Sequence, residues 1–238
     1  MRLLIASAAL ILAACAAPQD GPVEGEAADS LEPAVRADIN AAYLDPDLDV
    51  PRLNEGFSSE SREVYAARDA VTAALGIRPG DAVADVGAGT GIYAEPFSRA
   101  VGPEGTVYAV DIAEPLLAYV DAVARREGLT NLRTVLGRDE TTTLPPSSLD
   151  LVFTSDVYHH FEQPRAMNAH LFEALRPGGR YAVLDFDRGP GAEDWILRHV
   201  RSSKADVIAE IAAAGFSFVG EVPVEGLKEN YLLLFAKP

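Results

Sequence analysis

From Asp81 onward, short apolar runs alternate with amphipathic stretches at helical spacing. The runs predict strands over Ala82–Val86, Thr106–Val110, Leu132–Leu136, Leu149–Thr154, Arg180–Phe186, Phe216–Val222 and Tyr231–Ala236. Between them, the spacing predicts helices over Thr90–Val101, Pro115–Glu127, Pro164–Leu175 and Lys204–Ala214. Regular strand–helix alternation implies an α/β fold with a doubly wound, mostly parallel sheet. The last two strands are joined by a short loop holding Pro223 and Gly226, so they form a hairpin, and at least one edge strand is expected to be antiparallel. Upstream, Val64, Ala67, Val71 and Leu75 form one stripe and predict a helix over Ser59–Leu75. A short helix over Arg36–Leu44 is expected to stop at "DPDLDVP", where two prolines break regularity.

The first residues follow a different pattern. Arg2 precedes an apolar run, Leu3–Ala14, too short to span a bilayer. It ends in Leu12-Ala13-Ala14-Cys15, which resembles the bacterial lipobox, in which the cysteine is lipidated after cleavage. This predicts a signal peptide over 1–14, a lipid anchor at Cys15 and attachment to the membrane without a transmembrane helix. Ala16, rather than an acid, follows the cysteine, which by the rule of such signals directs the protein to the cell envelope at the periplasmic face of the outer membrane. Residues 15–35 then form an acidic tether carrying Asp20, Glu24, Glu26, Asp29 and Glu32, residues 36–80 a helical cap and residues 81–238 the main domain. Cys15 is the only cysteine, which excludes disulfides within the chain and thiolate metal clusters. The formal net charge of −16, with no basic run, argues against nucleic acid as a partner.

Chemistry concentrates at the ends of the predicted strands. Gly87, Gly89 and Gly91 form G-x-G-x-G between the first strand and the next helix, a place where a ligand can approach the backbone. The dinucleotide fingerprint places its third glycine at position 92, which is Ile92, and this disfavours a nicotinamide oxidoreductase. Asp85 lies near the end of the first strand. Asp111 follows the second, 20 residues after Gly91, where an acid can accept from ribose hydroxyls.

With these residues in view, the chain resembles the class I S-adenosylmethionine-dependent methyltransferases. "VADVGAGTG" is similar to their first motif and "VYAVD" to their second; "LPPSSLDLVFTSDVYHHF" and "LRPGGRYAVLDF" are similar to the blocks around the fourth and fifth strands. The "YHH" followed by a proline resembles a bacterial subgroup that often carries export signals. The resemblance covers Arg62–Pro238 and implies a Rossmann-like, seven-stranded sheet with an antiparallel last strand. It also implies S-adenosylmethionine as cofactor and methyl transfer to an acceptor, here expected to be a small molecule. It places Asp85, Gly87, Ala88, Gly89 and Gly91 at the methionine and ribose side and Asp111 on the ribose hydroxyls. Ile112 would lie against adenine, with Asp139, or alternatively Glu140, accepting from the adenine amino group. A phosphate-free sulfonium cation suits an acidic pocket.

"SDVYHHFEQP" follows the fourth strand. Asp156, His159 and His160 are the candidate catalytic residues, since an oxygen or nitrogen acceptor must lose a proton. One of two adjacent residues after a strand points into the fold, so one of the two histidines is expected to be structural. No further ligand accompanies Asp156, His159 and His160, and no metal site is expected from the sequence. Tyr65, Tyr158, Asp187 and His199 are candidates for shaping the acceptor pocket, as are Trp195 and Arg198, and Phe57 and Arg62 belong to a cap that would close over the cleft. The rival reading is a membrane-anchored ligand-binding protein that kept the fold and lost the chemistry, because the cofactor is made in the cytosol.

Overall fold

The computed structural model describes residues 38–60 and 62–238. The leader, Cys15, the acidic tether and the start of the Arg36–Leu44 segment lie outside the described residues. Seven strands form one sheet: β1 (Ala82–Val86), β2 (Thr106–Asp111), β3 (Leu132–Leu136), β4 (Leu149–Ser155), β5 (Leu175–Phe186), β6 (Ser217–Glu221) and β7 (Asn230–Ala236). Their order is β3-β2-β1-β4-β5-β7-β6. Pairing is parallel from β3 through β5, and β7 runs antiparallel to both β5 and β6. The closing hairpin is antiparallel as expected. Edge strand β6 pairs antiparallel with β7, and β7 itself, which runs against the parallel strands, sits inside the sheet between β5 and β6, where its near-continuous apolar run YLLLFA is suited to burial on both faces.

The helices are α1 (Val50–Phe57), α2 (Glu63–Ala66), α3 (Arg68–Leu75), α4 (Ala94–Val101), α5 (Glu114–Glu127), α6 (Pro164–Ala174), α7 (Asp194–His199) and α8 (Lys204–Ala213). Alternation along the strands sorts the core into two layers. Val83, Leu151, Phe153, Ala182 and Leu184 face α3, α4 and α5 through Val71, Leu75, Phe97 and Val120. Ala84, Val152, Tyr181, Val183 and Leu233 face α6 and α8 through Leu171, Val207 and Ile211. Among the described residues no helix is long and apolar enough to cross a membrane.

The N-terminal elements depart from the sequence expectation in an instructive way. Residues 38–44 form turns, and a helix begins at Val50 instead. Pro51 does not stop α1 but starts it: proline is tolerated in the first turn, where its missing N–H has no intrahelical partner, and the Asp49 carboxylate accepts from Arg52 N–H at 3.2 Å. The expected Ser59–Leu75 helix is broken at Ala67 into α2 and α3, yet its stripe of Val64, Ala67, Val71 and Leu75 is buried as the spacing predicts. The Glu63 carboxylate ties α2 to the β6–β7 connection by accepting from the backbone N–H groups of Lys228, Glu229 and Asn230, at 2.8, 2.9 and 2.6 Å. Val50 packs on Ala113 and Leu116 at the start of α5. The segment from Asn40 to Arg62 is thereby placed over the carboxyl ends of the strands.

Candidate active site

β1 lies between β2 and β4, and the chain winds outward in opposite directions from it. Open α/β sheets bind ligands at that reversal, outside the carboxyl ends of the strands. Each of the four adjoining strands delivers an aspartate there: Asp85 from β1, Asp111 from β2 and Asp185 from β5, all buried, and Asp156 just beyond β4, whose carboxylate is largely covered. A cavity of about 470 Å³ opens over them. Three of the four, Asp85, Asp111 and Asp156, are in its walls.

On the β1–β2 side the glycine turn is shaped by its own sequence. Gly87 has φ of +77°, and a Cβ added there would collide with Val157, so no other residue fits. Four amides of the turn, those of Gly87, Ala88, Gly89 and Gly91, are engaged inside the protein. Gly87 and Ala88 N–H donate to the Val110 carbonyl at 2.8 and 3.0 Å, and Gly91 N–H to the Ala88 carbonyl at 2.9 Å. Gly89 N–H donates to Asp111 Oδ2 at 2.9 Å, and Ala113 N–H to Asp111 Oδ1 at 3.0 Å. A phosphate-binding loop directs its amides at the anion; these four amides point at oxygens of the chain instead. Burial, reinforced by the neighbouring Asp111 charge, pushes Asp85 up to about 7. Burial likewise raises Asp111, opposed by its backbone hydrogen bonds. Two buried carboxylates sharing one wall favour a cation as ligand.

The β4–β5 side is built around histidines. Residues Tyr158–His160 form a single 3₁₀ turn after β4. His159 is buried; its Nδ1 lies 2.7 Å from Asp185 Oδ1, and its backbone N–H donates to Asp185 Oδ2 at 3.1 Å. Burial alone would lower the His159 pKa, but the Asp185 charge and hydrogen bond outweigh it and raise it. His160 and His199, the last residue of α7, complete this wall. Asp156 adopts φ of +53°, an unfavourable backbone for aspartate that marks an over-determined position. Its carboxylate accepts from Arg62 Nη2 at 2.5 Å and from Asn230 Nδ2 at 2.6 Å, joining the N-terminal cap to β7. Burial and the Asp185 charge push it up to about 6 against the attraction of Arg62 and His159.

The cavity therefore brings together Asp85, Gly87, Ala88, Gly89, Asp111, Ile112, Asp139, Asp156, His159, His160 and His199. Other residues singled out in the sequence are placed elsewhere. Gly91 (φ +79°) packs on Val120 under the turn, and Glu140 is outside the lining. Contrary to expectation, Tyr158 is fully buried in the core, its hydroxyl donating to Glu210 Oε2 at 2.7 Å and accepting from Asn168 Nδ2 at 2.9 Å. Tyr65 stacks under the Arg68 guanidinium, 4.0 Å from its ring centroid, and is not a cavity wall. Asp187, beyond the end of β5, pairs with Lys204 at 3.0 Å rather than facing the pocket. Among the pocket-shaping candidates Phe57, Arg62 and Trp195 do line the cavity and Arg198 does not. Asn40 and Tyr43 carry no motif, and Asp185 lies in the fifth-strand block without being singled out there. The one available signal was an acid, Asp185, directly after the apolar run Tyr181–Leu184 of β5, where an unpaired charge is not tolerated.

Residues 83–179 match a family described as a methyltransferase domain. A SAM-dependent methyltransferase from Aquifex aeolicus superposes with a TM-score of 0.71 at 22% identity, covering 80% of this chain and 99% of that one. This is the class I methyltransferase fold. The methyltransferase-fold domain is also similar in sequence to nocamycin O-methyltransferase of Saccharothrix syringae, 35% identical over 58% of this chain and 49% of the relative. A ubiquinone/menaquinone biosynthesis C-methyltransferase of Pasteurella multocida is 32% identical over 48% of this chain and 42% of that protein. The chain thus spans about half the length of these curated relatives. The relatives transfer methyl groups to different atoms, so the methyltransferase fold does not by itself specify an acceptor.

Proposed function

We propose that the protein is an S-adenosylmethionine-dependent methyltransferase acting on a small-molecule acceptor. The observation that carries this reading is the glycine turn, whose amides are engaged by Val110, Ala88 and Asp111 while Asp85 and Asp111 stay in the wall. That wall offers carboxylates to a cation and hydroxyls, and it does not offer a row of amides to a phosphate. The cofactor, when bound, supplies a methyl group on a sulfonium sulfur that departs as a neutral thioether. Asp111, held in place by two backbone amides, would accept from the ribose hydroxyls. Asp85 would balance the positive charge of the cofactor, and Asp139 and Ile112 would flank the adenine. The acceptor would lie toward His159, His160 and His199, with Trp195 and Phe186 at the same end of the cavity. The chain's remaining task is to hold the acceptor in line with the methyl group, exclude water and receive or withhold a proton. Arg62 and Asp156 close the cap over this space.

Calorimetric titration of S-adenosylmethionine into the purified chain at pH 8 is expected to show one site per chain. A folded protein that binds NADH and not S-adenosylmethionine would overturn the assignment. The same proposal includes export: the lipobox-like sequence supports a lipid anchor at Cys15 and a place in the cell envelope. Cys15→Ser is then expected to move the protein from the detergent-soluble membrane fraction to the aqueous fraction of bacterial cells. An unchanged distribution between the two fractions would rule the anchor out.

A further inference from the structure

The three histidines at the acceptor end of the cavity come from two separate parts of the chain. His159 and His160 are on the 3₁₀ turn after β4 and His199 ends α7. Their rings converge as a triangle, with centroids 4.5 Å apart for His159–His160, 5.0 Å for His159–His199 and 5.2 Å for His160–His199. One nitrogen from each ring can be chosen so that all three lie within 4.8 Å of one another. Among the described residues, this is the cluster of three or more histidine, cysteine or acidic side chains with metal-ligating proximity.

The hydrogen bonds around the cluster set which nitrogens carry protons. His159 Nδ1 donates to Asp185 Oδ1 at 2.7 Å, which puts the ring's lone pair on Nε2. Asn40 Nδ2 donates to the His160 carbonyl at 3.0 Å and to Glu162 Oε1 at 3.2 Å, so the side-chain oxygen of Asn40 must be the atom facing His160. His160 Nδ1 therefore donates to Asn40 Oδ1 at 3.1 Å, and its lone pair is also on Nε2. Two of the three rings are thus oriented by an oxygen acceptor on Nδ1, the outer arrangement that accompanies metal-ligating histidines. His199 Nε2 and His160 Nε2 are hydrogen-bonded at 3.3 Å; with the His160 lone pair on Nε2, His199 Nε2 is the donor, and an ion bound between them would take the place of that proton. Two nitrogens on one tetrahedral ion, with bonds of about 2.0–2.1 Å, lie roughly 3.3–3.4 Å apart.

The geometry points to a site for a divalent first-row metal ion, of the zinc type, held by His159, His160 and His199 at the acceptor end of the cavity. Imidazole nitrogens suit zinc and its neighbours, and three protein ligands leave a coordination position for a further oxygen or nitrogen. Asp156 is not a ligand, because Arg62 and Asn230 hold its carboxylate. Taken with the methyltransferase reading, on which this last step rests, the open position would receive the acceptor's own oxygen as an anion. Such an ion lowers the pKa of a bound hydroxyl, whose proton would pass to solvent; the oxygen would then form a bond to the methyl carbon as the carbon–sulfur bond breaks and a neutral thioether leaves, so the acceptor would be a molecule with an acidic or chelating oxygen.

Zinc and cobalt(II) are the probes. The full chain, freed of metal by chelator dialysis, is titrated with zinc by calorimetry and with cobalt by visible absorption, alongside His199→Ala, His199→Gln and Asn40→Ala. The expected result is one zinc per chain, an intense visible spectrum of four-coordinate cobalt, and loss of both in the two His199 variants. Asn40→Ala is expected to weaken zinc binding by about 10- to 100-fold, as the removal of an orienting partner does. Thermal melting shows whether each variant is folded. No zinc binding by the wild type, or equal affinity in a folded His199 variant, overturns the site. Titration of S-adenosylmethionine into the same samples separates the two readings: zinc without cofactor binding upholds the metal site and sinks the methyltransferase reading, and the converse sinks only the metal.

Discussion

Asp111→Ala is expected to reduce S-adenosylmethionine affinity by roughly 10- to 1,000-fold while the protein remains folded. The carboxylate would lose charge-assisted hydrogen bonds to ribose hydroxyls, each contributing about 1.5–3 kcal/mol. It would also stop fixing the turn, since its two oxygens accept from Gly89 and Ala113 N–H at 2.9 and 3.0 Å. The fold should tolerate the change because Val110, one residue earlier, still receives the Gly87 and Ala88 amides through its carbonyl. Calorimetry at pH 8, with circular dichroism as the check on folding, measures both halves. A folded variant with wild-type affinity would remove Asp111 from the cofactor site.

Asp85→Asn is expected to have opposite effects on stability and on binding. The carboxyl group ionises near pH 4 in the unfolded chain, and burial raises it to about 7 in the folded one. The folded state therefore holds the extra proton between about pH 4 and pH 7, and the stability present below that window is lost as pH rises through it. Removing the charge should leave the ligand-free protein unchanged at pH 4. At pH 8 it should stabilise it by on the order of 2–4 kcal/mol, or roughly 5–10 °C in Tm. Binding of the cationic cofactor should weaken in the same variant by roughly 10- to 100-fold at pH 8, the attraction of a nearby opposite charge in a partly screened site. Wild-type affinity should rise between pH 6 and pH 8, and that of the variant should stay flat over the same range. Thermal melts of the two proteins across this range, in the absence of ligand, test the first half, and cofactor titrations the second. Parallel melting profiles for both proteins would mean that Asp85 carries no buried charge.

What made the cofactor side legible was locality. Asp85, Gly87 and Gly89 sit within five residues of one another, and Asp111 is reached by one predicted helix and one predicted strand. Their relative placement follows once β1 and β2 are adjacent and parallel. The stripe on α2 and α3 was legible for the same reason, although the break at Ala67 was not, because nothing in the spacing of buried residues distinguishes a straight helix from a kinked one. Tyr158 and Asp187 show the limit. Both lie beside pocket residues in sequence, but a 3₁₀ turn sends Tyr158 to the core, and Asp187 continues past the strand end to Lys204.

The sequence by itself determined the strand–helix alternation, the two-layer core that alternation requires, and the acids at the ends of β1 and β2, because these depend on periodicity and on contacts between elements close in the chain. Only the tertiary structure decided what gathers at the acceptor end. Asn40 reaches His160 across 120 positions of sequence, Arg62 reaches Asp156 across 94, and Asp185 reaches His159 across 26. His199 meets His160 across 39, at the end of a short helix that no periodic pattern announced. Each of those contacts is set by the order in which strands pair in the sheet and by where the cap comes to rest, and a single buried polar residue leaves no repeating trace along the chain from which either can be inferred.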